Sequence, residues 1–350
     1  MKNTLRYITE KTAVLICTDV NRRYLTGFES SLGYLLMTAK GNILFVDGRY
    51  FEAASKGAVN CEVRLLDKIF AQINDEIKNR AITKVLIETE NTYSAYMSFK
   101  KNLCATVMAS ASLSEKLLTL RSIKKKEEIE SIVAAQRIAE KAFEDVLGFI
   151  KEGVTEKQIA ALLEYRMREY GSQRAAFQTI AVSGKNTSLP HGVPTDKKVQ
   201  KGDFVTMDFG AVANGYCSDM TRTVAVGFAT DEMTNIYQTV LSAQQNVIKH
   251  LTAGIICSDA DALARGVIKN AGYGEHFCHS TGHSLGLEIH EKPSLSEKNS
   301  AIRLRAGQIV TVEPGIYLPD KFGVRIEDMV LVRKNGCKNL TNAPKHLIIL

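Results

Sequence analysis

Residues 202 to 223, GDFVTMDFGAVANGYCSDMTRT, set two carboxylates where they could share a ligand. Two apolar, strand-like runs flank Asn214-Gly215, a dipeptide that favours a two-residue hairpin loop because both residues tolerate positive φ. With that loop, Asp208 lies opposite Thr221, and Asp219 is its diagonal neighbour on the same face. Val205, Met207 and Phe209 fall on the other face. Acids projecting together from an apolar hairpin repel each other, and burial pushes one pKa up unless a cation sits between them. Metal binding is the chemistry such a pair would serve. An exposed hairpin with solvated acids is the alternative that this stretch alone leaves open.

The pattern occurs twice. GDFVTMDFG at 202–210 matches GQIVTVEPG at 307–315 at a constant offset, which pairs Asp208 with Glu313. Asp219, just ahead of TRT, has its counterpart in Glu327 of GVRIED, at a slightly different offset. A short turn near Pro319-Asp320 would set Glu313 across from Glu327. The flanking elements recur in the same order. From Glu127, Ile129, Ile132, Val133, Ile138, Phe143, Val146 and Leu147 follow a helical period. Gly153 is expected to close that helix, and Thr155 with Gln158 forms a capping box for the next. The second copy has a helical run over about 232–249, then Gly254, then a helix expected to open at Ser258 with Asp261 at the matching box position. Such a repeat is the trace of an internal duplication, and a pseudo-two-fold arrangement would gather all four acids. Two copies are hard to explain as surface decoration.

Residues 276 to 291, HFCHSTGHSLGLEIHE, hold His276, His279, His283 and His290. In an extended backbone only some of them can face the acids, and Gly282 and Gly286 would let the chain near His283 approach closely. Four carboxylates and one imidazole make a hard, oxygen-dominated set. It suits two divalent ions, with Mn²⁺ expected and Co²⁺ or Zn²⁺ as alternatives, better than thiolate-bound zinc or an iron–sulfur centre. Two ions roughly 3.5–4 Å apart would share a water, lower its pKa toward neutral and polarise a substrate carbonyl. Thr206 and Thr311 each precede an acid by two residues and are expected to hydrogen-bond to it. Cys217 is expected to be a small buried residue.

Composition sets the background. At 350 residues, 45% hydrophobic and 24% charged, the chain reads as an ordinary globular protein with a substantial core. The formal charge of +7 is mild, and basic residues are interleaved with acidic ones, so nucleic-acid binding has no support. Seven scattered cysteines without a CxxC pair argue for reduced, mostly buried thiols and a cytoplasmic location. No apolar run approaches the roughly 18 to 20 residues needed to span a bilayer, and MKNTLRYITEKT lacks the apolar segment of a signal peptide. The first ~120 residues alternate strand-like runs (AVLICT, YLLMT, NILFVD, EVRLL, KVLIE) with helical patterns such as IFAQINDEIKNR, which suits a sheet covered by helices. Arg23, Asp47, Arg49 and Tyr50 in this region suit surface or turn roles better than a cleft. A boundary is expected at 122/123, separating an α/β domain (1–122) from an α+β domain with an internal pseudo-two-fold repeat (123–350).

With these residues assembled, the chain resembles the M24 metallopeptidases of the pita-bread fold, in the branch of Xaa-Pro aminopeptidases and Xaa-Pro dipeptidases. YLTGF and DGRYFEAA look like the family's creatinase-type N-terminal domain. SGKNTSLPHGVPTDKKVQKGDFVTMDFGA, GYCSDMTRT, HSTGHSLGLEIHEKP, VEPGIY and GVRIED look like its catalytic domain. The resemblance implies metal ligands at Asp208, Asp219, His283, Glu313 and Glu327, with Asp219 and Glu327 bridging. It implies that Glu313 takes a proton from the attacking water, that His191 and His290 contact substrate and steady its oxyanion, and that His279 is a further active-site histidine. Arg325 matches an arginine near the substrate's prolyl end. His276 matches no functional position and is expected to be structural. The implied activity is hydrolysis of the bond between an N-terminal residue and a penultimate proline by a homodimeric aminopeptidase. The alternatives are a dipeptide-restricted prolidase and, in another class, a catalytically inactive pita-bread binding protein.

Overall fold

The computed structural model describes residues 6–350; the first five, part of the amino-terminal stretch read above, lie outside the described residues. Two compact units divide between Arg121 and Ser122. In the first, strands β1 (Thr12–Ile16), β2 (Gly33–Thr38), β3 (Gly41–Val46), β4 (Glu62–Leu65), β5 (Lys84–Ile87) and β6 (Thr106–Ala109) form one sheet in the order β4-β3-β2-β1-β5-β6. β1, β2 and β3 are an antiparallel meander, whereas β4, β5 and β6 pair in parallel with their neighbours. Parallel pairing needs crossovers, supplied by helices such as Phe51–Gly57 and Tyr93–Asn102. The helix Ile69–Asn79 buries Ile73 and Ile77 at i, i+4 spacing. β6 is the one strand of this sheet outside the runs read from the sequence: it is four residues long, lies at the sheet edge and leads straight into the helix Ala111–Ser122.

Asp47 and Arg49 pair at the turn that precedes the helix Phe51–Gly57, and the Tyr50 hydroxyl meets that of Ser31 at 2.9 Å. Arg23 pairs with Glu29 on the surface. These are turn and surface roles.

The second unit is built twice over. The first half runs through helices Lys126–Leu147 and Glu156–Glu169, then β7 (Ile180–Ser183), β8 (Phe204–Phe209), the short arms β9 (Val212–Ala213) and β10 (Tyr216–Cys217), and β11 (Met220–Ala225). The second half runs through helices Asp231–His250 and Cys257–Asn270. It continues with β12 (Gly282–Ser284), β13 (Glu291–Leu295), β14 (Ile309–Val312), the arms β15 (Gly315–Leu318) and β16 (Phe322–Arg325), β17 (Asp328–Val332) and β18 (Cys337–Asn339). The helices of each half pack on its own sheet. Phe143, Leu163, Met207 and Phe209 centre one core, and Ile236, Val240, Ala264, Val312 and Val330 the other. This is the repeated α+β pita-bread architecture.

Both hairpins keep the register read from sequence. Ala213 pairs with Tyr216 across Asn214-Gly215, whose φ values are 49° and 79°, and Thr221 pairs with Asp208. In the second copy a turn through Pro319, Asp320 and Lys321 closes β15 on β16, and the flanking pairs Val312–Asp328 and Gly315–Arg325 set Glu313 opposite Glu327. The halves meet where Glu327 N–H donates to the Thr221 carbonyl at 3.2 Å. Behind that contact, Arg222 of one half forms an ion pair with Asp328 of the other at 2.8 Å, their side chains only 2% and 0% exposed.

Two expectations about helix ends need correction. The long helix ends at Leu147, not at Gly153, because the chain turns there to bury Ile150. Gly153 (φ 90°) and Gly254 (φ 94°) instead serve the turns that lead into the second helix of each half. The Thr155–Gln158 capping box forms as read. Its presumed counterpart does not: the helix starts at Cys257 after Ile256, without a side-chain cap. Asp261 is buried and accepts from Thr281 N–H at 3.0 Å and from Arg265 Nε at 2.8 Å. The seven cysteines are free, but only Cys217 and Cys257 are fully buried, and Cys104 and Cys278 are exposed. No helix among the described residues is long and apolar enough to cross a membrane.

Close backbone approach holds the strands of the site together. A Cβ on Gly282 would stand 2.0 Å from the Thr311 carbonyl oxygen, and one on Gly210 would stand 1.9 Å from that of Ser218. Overpacking of backbone on backbone costs about 1–3 kcal/mol or more. Gly282→Ala is therefore expected to lower the midpoint of thermal unfolding by about 5 °C or more, read by differential scanning calorimetry.

Candidate metal centre

β8 supplies Asp208, the link from β10 to β11 supplies Asp219, and β12 supplies His283. Glu313 follows β14, and Glu327 joins β16 to β17. All five line one cavity of about 610 Å³. Asp219, His283 and Glu327 each offer a ligand atom within 4.8 Å of the others. His283 Nε2 stands 3.5 Å from Asp219 Oδ2 and 3.4 Å from Glu313 Oε1.

His283 Nδ1 faces the Ser284 carbonyl at 3.2 Å, so Nδ1 carries the proton and Nε2 presents a lone pair. Burial depresses the basicity of His283 and keeps the ring neutral. A lone pair facing ionised carboxylate oxygens repels them. Asp208 Oδ1 and Glu327 Oε1 are buried and have no hydrogen-bond donor among the described residues. A cation answers both problems, and this donor set fits divalent ions of the Mn²⁺, Co²⁺ or Zn²⁺ kind.

The acids show the strain of their company. Burial, then the charges of Glu327, Asp208 and Glu313, hold Asp219 well above the ordinary carboxylate range. Burial followed by Glu313 and Asp208 does the same to Glu327, and burial raises Glu313.

Arg325 is the counterweight inside the protein. Burial opposes its charge, but Tyr317, Asp208 and Glu313 outweigh it and keep the guanidinium charged. It donates from Nη2 to Asp208 Oδ2 at 2.6 Å, from Nη1 to the Tyr317 hydroxyl at 2.8 Å and to the Pro190 carbonyl at 3.1 Å, and from Nε to Thr221 Oγ1 at 3.1 Å. Thr221 in turn donates to Glu327 Oε2 at 2.7 Å. Sequence reasoning assigned no role to Thr221 or Tyr317, although Tyr317 stands in VEPGIY. The signal was available for Thr221, which the hairpin register puts opposite Asp208. Tyr317 is buried, its pKa pushed up to about 12, and it bridges Arg325 to His279 Nε2 at 2.8 Å. His279 Nδ1 donates to the Ser280 carbonyl at 2.9 Å, so the tyrosine donates to Nε2 and both ring nitrogens are engaged.

Thr311 does what its position suggests. Its hydroxyl accepts from His283 N–H at 3.0 Å and donates to Glu313 Oε1 at 3.0 Å. Thr206 does not: its hydroxyl meets Thr223, its partner across the ladder, at 3.0 Å. A glutamate can curl back over the residue two before it, whereas aspartate is one methylene short. His191, on an exposed loop, and His290 line the cavity, and His290 packs edge-on against His283 with centroids 4.4 Å apart. His276 lies outside the cavity lining, packed against Tyr273. Cys217 is buried in an apolar cluster with Ile132 and Leu285, which raises its thiol pKa to about 11. Below the rim, Lys124 and Glu291 form a buried ion pair at 3.1 Å.

Removing one of the crowded charges should stabilise the metal-free protein. An acid with a raised folded-state pKa costs nothing in acid; its penalty sets in above the ordinary carboxylate pKa, grows as pH rises toward the raised value and then levels off. Glu327→Gln is expected to raise the melting point of chelator-treated protein by roughly 3–6 °C at neutral pH. The gain should shrink on acidification, and the further rise that Mn²⁺ gives the wild type should be lost. Thr311→Val is expected to weaken Mn²⁺ binding by about 10- to 100-fold in calorimetric titration.

Metallopeptidase family M24 matches residues 130–334, and the creatinase/prolidase N-terminal domain matches residues 9–123. The chain is 39% identical over 338 residues to an Xaa-Pro dipeptidase of Pyrococcus furiosus, covering 96% of this chain and 94% of that one. The solved structure of an Xaa-Pro dipeptidase from Bacillus anthracis superposes with a TM-score of 0.93 at 42% identity, covering 97% and 95% of the two chains. That of an X-Pro aminopeptidase from Thermotoga maritima also reaches 0.93, at 35% identity, covering 99% and 100%. With carboxylates and imidazole gathered in the unit that the family description matches, the chain belongs to metallopeptidase family M24 and carries a creatinase-type N-terminal domain.

Proposed function

We propose that the protein hydrolyses Xaa-Pro dipeptides, using two divalent ions held by Asp208, Asp219, His283, Glu313 and Glu327. The observation that carries the metal reading is the gathering of His283 Nε2 with Asp219 and Glu313 at 3.4–3.5 Å, beside buried carboxylate oxygens of Asp208 and Glu327 that have no hydrogen-bond donor among the described residues. The dipeptidase reading takes precedence over the aminopeptidase that the motifs first suggested, because dipeptidases stand at 39% and 42% identity over almost the whole chain. The 35% likeness to an X-Pro aminopeptidase supports cleavage of longer peptides as the second reading. An inactive binding protein is disfavoured, since the full donor set is present and gathered.

When bound, the ions would act as Lewis acids on the scissile carbonyl and supply an acidified water at neutral pH. The protein's residues do the rest. Glu313 holds its Oε1 against the Thr311 hydroxyl, which leaves Oε2 to take a proton from the attacking water. From there the proton would pass to the departing proline nitrogen. His290 and His191, on the cavity wall, would hydrogen-bond to the carbonyl oxygen as it gains charge. Burial lowers the pKa of His290, so below neutrality it is the unfolded chain that binds the extra proton. A substrate with proline second has no N–H at the scissile amide, so recognition cannot rely on that donor. Phe177, Ile180 and Ile289 give the cavity an apolar wall for a pyrrolidine ring. Arg325 steadies Asp208 in this reading: four of its five N–H donors are taken up by the protein. A homodimer and a cytoplasmic location belong to the same reading, the first from family resemblance and the second from cysteine usage.

Chelator-treated protein is expected to lose activity on Ala-Pro and recover it with Mn²⁺ or Co²⁺. Ala-Pro should be cleaved far better than Arg-Pro-Pro. Full activity without metal would overturn the mechanism, and faster cleavage of Arg-Pro-Pro would restore the aminopeptidase reading.

A further inference from the structure

A free Xaa-Pro dipeptide is a zwitterion. Its ammonium can be drawn toward the acids of the site, but its carboxylate enters a cavity lined by Asp208, Asp219, Glu313 and Glu327. Burying that carboxylate without a counter-charge would be costly. Among the described residues, Arg325 and Lys292 are the arginine and lysine side chains on the cavity wall. Arg325 is spent on Asp208, Tyr317, Thr221 and the Pro190 carbonyl, and its charge is already matched by Asp208. Lys292 is exposed and has neither hydrogen bond nor ion pair among the described residues.

Its placement suits the task. Lys292 lies on β13 and lines the cavity together with His290, Glu291 and Ser294, Glu291 being paired with Lys124. Ser294 is the ladder partner of His283, so this edge of the wall runs directly beside the acid cluster. A dipeptide is short: its carboxylate stands roughly 7 Å from its amino group along an extended backbone. A lysine on the rim, with a flexible four-carbon stem, can meet a carboxylate at that range.

We propose that Lys292 is the specificity-determining residue that receives the C-terminal carboxylate of the dipeptide. This rests on the Xaa-Pro reading above and adds the reason for a preference for two-residue substrates. In a longer peptide the proline carbonyl continues into an uncharged amide, and the contact with Lys292 is lost.

The test compares Ala-Pro with Ala-Pro amide, using Mn²⁺-loaded wild type, Lys292→Gln and Lys292→Arg. A charge-assisted contact of this kind changes affinity by about 10- to 100-fold. Wild type should favour the free acid by that factor, chiefly through KM. Lys292→Gln should bring the acid-to-amide ratio of kcat/KM close to one, and Lys292→Arg should keep most of the preference. An undiminished preference in Lys292→Gln, or a wild type that makes no distinction, overturns the assignment of Lys292 while leaving Xaa-Pro hydrolysis standing. A wild type that cleaves neither compound overturns the Xaa-Pro reading and this inference with it.

Discussion

Four carboxylates and an imidazole lone pair face one another across a few ångströms of buried space, and the C-terminal unit is organised to tolerate that crowding. Like charges so placed would separate in any chain free to move. Here each acid is pinned by backbone on both sides. Asp208 and Asp219 are held by a hairpin whose arms touch at Gly210, and Glu313 and Glu327 by a second hairpin built on the same plan. The rigidity is what turns a repulsive set into a pre-formed site for cations, since the unfavourable charge is confined before any ion arrives.

Duplication explains how such a site can arise from ordinary parts. Each half has its own helix pair and its own sheet, and an apolar cluster of Ile132 and Cys217 from the first half with Leu285 and Met329 from the second packs between them. The halves are joined at their acidic strands by Arg222 and Asp328, a buried ion pair on the face turned away from the cavity. Strand alternation accounts for the division of labour: along β11, Thr221 and Thr223 serve the site and Arg222 serves the joint behind it. Removing one partner of such a pair would strand a charge in the interior.

The polar network around the acids has a direction. Tyr317 passes a hydrogen bond from Arg325 to His279, while Thr221 and Thr311 each touch a carboxylate and a second group. Asp261 and Arg265 hold the backbone at Phe277, His279 and Thr281, which leads into the strand that carries His283. Orientation of the donors is thereby settled by residues that do not themselves face the ions.

Much of this was legible in the chain. The Asn214-Gly215 turn and the alternation of apolar residues set the register of the first hairpin, and the repeat carried the same geometry to Glu313 and Glu327. Period-2 and helix-period patterns report local physics, and local physics is what a one-dimensional string records. The edge strand at Thr106–Ala109 escaped because it is short and runs almost directly into the helix Ala111–Ser122, with no turn residues to mark it off. The helix end at Leu147 and the role of Asp261 escaped because partners distant in sequence decided them. The same reason separates Thr311 from Thr206, which stand at like positions in the two copies: one reaches a glutamate, and the other meets Thr223 across the ladder. Residue types and spacing thus determined which acids could act together and on which face. Only the tertiary structure decided who neutralises whom, with Arg325 drawn to Asp208 and Lys292 left without a partner among the described residues, because pairing among charges depends on distances that the order of residues does not contain.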